Sequence, residues 1–208
     1  MHHHVYAFAE AVDRKIEQLP RDDYFRRVGR AKPLLEELMP LSRLALHFAF
    51  PGLAVEVESF ENDGPVDGRI TASGYKNFSY DVEVTFARTY EEALRSELAL
   101  AQRIIPGAGP IHRDKVAGGV VAEYGSLNHG EHIESVASAL FDLYSKKIAK
   151  SYPIGTILLI AFDEVAIYGF ADWTRLTRAL AIKGQLLAGP FRGIYLFNCA
   201  TNELQTAA

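Results

Sequence analysis

The stretch Pro65-Val-Asp-Gly-Arg-Ile-Thr71, followed by Tyr80-Asp-Val-Glu-Val-Thr-Phe-Ala87, decides how this chain is read. In the second segment Asp81, Glu83 and Thr85 alternate with Val82, Val84 and Phe86, the period of two that sends successive side chains to opposite faces of a strand. An acidic row whose opposite face is apolar costs free energy unless it is solvated, paired or holding a cation. If the Asp67 strand pairs with the Glu83 strand, two or three carboxylates can converge on one divalent ion. The competing reading is plainer. Asp67-Gly68 is a common turn dipeptide, and Asp81 and Glu83 can be wet positions on a sheet.

Upstream, Val55 and Val57 alternate with Glu56 and Glu58 from Leu53 onward, and Glu61-Asn-Asp-Gly64 supplies a turn, so a first strand precedes the two acidic ones. The second strand is expected over about Val66 to Ala72 and the third over about Tyr80 to Ala87, joined by a hairpin through Lys76 and Asn77. Three such strands in succession form an antiparallel meander. Before them, Phe8, Val12, Ile16 and Leu19 keep helical spacing, and a second helical stretch runs from Leu34 to Phe48, divided or bent by Pro40.

After the meander, Ala93 or Leu94, with Leu98, Ala101 and Ile105, marks a helix over Tyr90 to Ile105. Ile133, Val136, Ala137, Leu140, Tyr144 and Ile148 mark a longer one with Lys146, Lys147 and Lys150 near its carboxyl end. A short strand fits Gly119 to Tyr124. Thr156 to Phe162 reads as a strand buried on both faces, Trp173 to Leu187 as a helix, and Gly193 to Phe197 as a last strand.

With 208 residues and 49% hydrophobic content, the chain is expected to form an N-terminal helical segment (residues 1–33) and a single α/β domain (residues 34–208). The formal net charge of −4 gives no bulk attraction for nucleic acid, so such a partner needs a local patch. Cys199 is the only cysteine, which leaves neither an intramolecular disulfide nor a cysteine-based zinc module. The apolar runs are too short to span a bilayer and the amino terminus lacks an apolar signal core, so the expectation is a cytoplasmic protein without a membrane partner. The run His2–His4 is given no functional weight.

Asp67, followed by Asp81-Val-Glu83-Val-Thr85 with helices before and after and then a buried strand, resembles the PD-(D/E)XK nuclease superfamily, the restriction-endonuclease-like fold. The resemblance covers about residues 34 to 162. It implies a core of helix, three-strand meander, helix and buried strand, with a helix-strand extension here. It also implies that Asp67 and Glu83 bind Mg2+ or Mn2+ and that a lysine two positions after Glu83 assists the attacking water. Thr85 occupies that position, and a hydroxyl carries no positive charge with which to stabilise hydroxide or phosphorane. Lys76, Arg69 and Lys150 are candidates for a relocated cation. Arg69, Lys147 and Lys150 are candidates for phosphate contact. Glu36 or Glu37 on the first helix, or Glu58 on the first strand, could supply a further acid.

Other motifs are weaker. His129 and His132 lack the HExxH spacing of a zinc helix, the Gly-rich stretches lack GK[ST] and GxGxxG, and no GxSxG is present. The expectation is therefore a metal-dependent phosphodiesterase acting on DNA or RNA. A homodimer is compatible with the resemblance, because both strands of a duplex must be cut. The alternative is a catalytically inactive nuclease-like domain that binds nucleic acid or another protein, and Thr85 and the negative net charge favour it.

Overall fold

The structure, a computed structural model, describes residues 2–60, 64–88, 90–102, 110–114, 118–123 and 128–208. It begins with strand β1 (His2–His4) and helix α1 (Val5–Glu17), whose Val5, Phe8 and Val12 face inward at helical spacing. Short helices α2 (Arg21–Arg26) and α3 (Ala31–Pro33) lead into a π-helical turn at Leu34–Leu38 and then α4 (Met39–His47). Pro40 does not break this helix. Its ring would collide with the carbonyl of Glu36 in a regular helix and it offers no N–H, so the widened turn falls on the residues just before it.

Strands β2 (Leu53–Ser59), β3 (Gly68–Gly74) and β4 (Phe78–Ala87) form the expected antiparallel meander. Strand β3 starts and ends two residues later than the sequence suggests, because its pairing with β2 runs on to Leu53 opposite Gly74. The turn expected over residues 61–64 lies largely outside the described residues. Helix α5 (Tyr90–Gln102) buries Leu94, Leu98 and Ala99 rather than Ala101, which is exposed, and residues 103–105 are outside the described set.

Strands β5 (Ile111–Arg113) and β6 (Val120–Ala122) make a separate two-stranded sheet, of which only the second was anticipated. Helix α6 (His129–Ile148) follows, capped by Asn128 accepting from the Gly130 N–H at 2.9 Å. Next come β7 (Ile157–Phe162), α7 (Gly169–Lys183), β8 (Gly193–Asn198) and β9 (Glu203–Thr206). Helix α7 stops at Gly184, short of the expected Leu187. That glycine sits at φ 154°, and an added Cβ would meet the Phe141 ring at 2.6 Å.

The protein is mixed α/β. One seven-stranded sheet runs β1-β2-β3-β4-β7-β8-β9, with β4, β7 and β8 parallel and the other neighbours antiparallel. All six residues of β7 are buried because helices cover both faces of the sheet. Ile157, Leu159 and Ala161 pack with α1 and α4, and Leu158, Ile160 and Phe162 with α6 and α7. The segment before residue 34 is thus part of one core layer. Each fully buried leucine there contributes about 1.5–3 kcal/mol. Among the described residues no helix is long and apolar enough to cross a membrane.

Two histidines tie the start of α6 to the segment after β7. His129 Nε2 lies 2.7 Å from Asp172 and His132 Nε2 lies 2.9 Å from Glu164. Each histidine thus has its own carboxylate partner. The hydrogen bond to Glu164 holds the His132 pKa above its ordinary 6.5 against the opposing pull of burial, with Glu92 raising it further and Arg95 lowering it. A raised cationic pKa gives stability that is fully present below about pH 6.5 and disappears as pH climbs through the folded value. Thermal unfolding at pH 6 and pH 8 checks this. The wild type is expected to lose more stability on going to pH 8 than Glu164→Gln does.

Candidate active site

The site is assembled where β3 begins and β4 runs on past it. Asp67, immediately before β3, is held by its backbone on both sides: its N–H donates to Val82 O at 2.9 Å and its carbonyl accepts from Phe60 N at 2.9 Å. Beyond that point β4 has no β3 residue opposite it, so the next inward N–H, that of Val84, lacks a ladder partner. The Asp67 carboxylate supplies one, accepting the Val84 N–H through Oδ2 at 2.7 Å. Gly68 makes this close passage feasible. A Cβ there would meet Leu41 Cδ2 at 2.6 Å and Glu58 O at 2.8 Å. Gly68→Ala is therefore expected to destabilise the fold by about 1–3 kcal/mol in a urea titration, as overpacking does.

Glu83 leaves the opposite face of β4 from Val82 and Val84, toward α6, and is buried. Its Oε1 accepts from Lys147 Nζ, in the last turn of α6, and from the Tyr152 hydroxyl at 3.4 Å. Glu37 reaches the same region from the π-helical turn. Burial raises its pKa, and the charges of Asp67, Glu36 and Glu83 raise it further, against Lys32. Burial likewise raises the pKa of Asp67 and Glu83 adds to it, while the Val84 hydrogen bond and Lys147 pull the other way. Glu37, Asp67 and Glu83 are thus partly buried and within reach of one another's charge, and the Lys147 ammonium pairs with Glu83.

The expected site residues separate into those gathered here and those elsewhere. Glu83 and Lys147 are in contact, and Asp67 and Glu37 lie near enough for their charges to act on one another or on Glu83. Thr85 is half-buried on the Glu83 face of β4, in register with Ile160. Arg69 donates to Asp81 at 2.7 Å across the β3–β4 pair, with Glu58 in register on its other side, so these three form a cross-strand row in which Arg69 is exposed and the two acids half-buried. Lys76 is exposed in the β3–β4 turn, roughly 20 Å of strand away from Asp67. Lys150 is exposed past the end of α6.

The ammonium on Glu83 is that of Lys147, which the sequence suggested only for phosphate contact. A signal for it exists. Ile133, Val136, Ala137, Leu140 and Tyr144 are the buried stripe of α6, and position 147 continues that stripe by one more step of three. Tyr152 had no such signal, since it lies in the irregular segment between α6 and β7.

Chemically the arrangement offers hard oxygen donors suited to Mg2+ or Mn2+, a lysine beside them, and a neutral hydroxyl donor. As the side chains stand, no three acid or imidazole groups among the described residues are grouped closely enough to enclose an ion. Compared with protein-family models, with curated proteins and with solved structures, the chain gives no match.

Proposed function

We propose that this protein is a metal-dependent phosphodiesterase that cleaves nucleic acid, built on a restriction-endonuclease-like core. The observation that carries the reading is the grouping of Glu37, Asp67 and Glu83 with the Lys147 ammonium, from four separate segments of chain: burial raises the pKa of Glu37 and of Asp67, the charges of Asp67 and Glu83 add to the first and that of Glu83 to the second, and Lys147 pairs with Glu83. The chain order supports it: a helix ending at His47, the meander β2–β3–β4, helix α6, and then β7 parallel to β4.

Asp67, Glu83 and Glu37 are the residues that would hold Mg2+ or Mn2+; the ion, when bound, would polarise a phosphoryl oxygen and lower the pKa of a water. Asp67 is fixed for this task by the Val84 N–H, which keeps one oxygen occupied and the other available. Lys147 takes the role left open by Thr85, bringing a positive charge to the site from the helix instead of from the strand. The exposed Lys146 and Lys150 flank it and suit the phosphates of a polyanion, a local patch on a chain whose net charge is −4.

Incubation of the purified protein with plasmid, linear DNA and RNA, in Mg2+ and in Mn2+, tests the reading. Cleavage that EDTA abolishes is expected. Intact substrates in both metals would favour the non-catalytic alternative, in which the Lys147–Glu83 pair is a structural bond.

A further inference from the structure

We propose that Tyr152 is a positioning residue that fixes the Glu83 carboxylate through Oε1, so that Oε2 is the oxygen presented to a divalent cation. The inference rests on the metal-site reading above and goes further, by assigning a residue that the acidic motif does not contain. Both donors that reach Glu83 address the same oxygen: Lys147 Nζ and the Tyr152 hydroxyl, the latter at 3.4 Å, longer than a typical O–H···O hydrogen bond.

The two donors differ in kind. The Lys147 ammonium is a charge on a flexible stem, and it competes with any other cation for the charge of Glu83. The phenol is uncharged and does not compete. It is also held in place. The Tyr152 ring packs against Phe191 with centroids 4.8 Å apart, next to the start of β8. The following residue, Pro153, accepts from Thr156 Oγ1 at 2.7 Å and from Thr156 N at 3.2 Å, and Thr156 O accepts from Arg192 N at 2.8 Å. The loop is thus bound back to the sheet on the carboxyl side of Tyr152, directly after α6 ends on its amino side. When Lys147 turns toward substrate, Tyr152 remains as the donor that keeps Glu83 in one orientation.

Two measurements on the full chain test this. In the first, without metal, thermal unfolding is compared for wild type, Tyr152→Phe, Glu83→Ala and the double variant. Phenylalanine keeps the packing on Phe191, so the expected result is a lowered midpoint for Y152F in the wild-type background and no further change in the Glu83→Ala background. Equal shifts in both backgrounds would overturn the contact.

In the second, Mn2+ is titrated and followed by electron paramagnetic resonance. Y152F is expected to bind Mn2+ about 10–100-fold more weakly than wild type, as loss of an outer-shell partner does, with an altered line shape for the bound ion. Wild-type affinity and line shape in Y152F would overturn the positioning role and leave the metal site standing. A wild-type protein that binds no Mn2+, or binds it equally with Glu83→Ala, would overturn the site reading and this inference with it.

Discussion

Asp67→Asn and Glu83→Gln are each expected to reduce metal-dependent cleavage on the order of a thousandfold or more, while the protein remains folded. The size follows from the chemistry: a cation at a phosphoryl centre supplies several kcal/mol of transition-state stabilisation, and every 1.4 kcal/mol is about tenfold in rate. The choice of amides matters. Asn at 67 keeps an oxygen to accept the Val84 N–H, whereas Ala would leave that donor unpaired and confuse a folding defect with a chemical one. Gln at 83 likewise keeps an acceptor for Lys147 and Tyr152. The readout is the initial rate of plasmid nicking in Mg2+, with near-ultraviolet circular dichroism as the check on folding. A rate within threefold of wild type in either variant would remove that carboxylate from the site.

Lys147→Met is expected to give the largest loss of stability. Glu83 and Lys147 have side chains only 10% and 18% exposed, so removing the ammonium leaves a buried carboxylate, under the charge of Asp67 and Glu37, with no positive charge to offset it and only the long contact from Tyr152. Orphaning one member of a buried pair costs about 3–5 kcal/mol, roughly 10 °C or more in melting temperature for a chain of this length. Two further results are expected. Adding Glu83→Gln to Lys147→Met recovers much of the loss, because the neutral amide no longer carries the buried charge. Millimolar Mn2+ also raises the melting temperature of Lys147→Met by more than that of wild type, since a ligand that binds the folded state stabilises it. A melting temperature of Lys147→Met equal to that of wild type would mean the ion pair contributes nothing, as most exposed pairs do.

How much of this could be read from the amino-acid order depends on where each residue sits. The β4 alternation declared its two faces outright, because a period of two has only one solution once Val82, Val84 and Phe86 are assigned to the core. Strand β7 was equally legible, since six apolar residues in succession have no wet face. Asp67 and Glu83 followed from the pairing of their strands. The cation did not, because Lys147 meets Glu83 across 64 residues of chain and no local pattern reports such a distance. The widened turn at Leu34–Leu38 was foreshadowed by Pro40 only as a bend. Strands β1, β5 and β9 escaped notice for a different reason. They are three or four residues long, too short for a period to register, and they form only by leaning on a neighbour.

The widened turn carries a consequence for how such a site can change over time. Asp67 and Glu83 are bolted in place by a cross-strand hydrogen bond and a strand-to-helix ion pair, so altering either disturbs the frame. Glu37 hangs from a helical turn that holds more residues than a regular ladder requires. Loss of one residue there would tighten the turn and rotate what precedes it by about 100° about the axis, with the sheet left as it is. The acidic cluster is therefore made of a rigid half and an adjustable half, and the placement of Glu37 relative to Asp67 and Glu83 can drift through the helix without redesign of the strands.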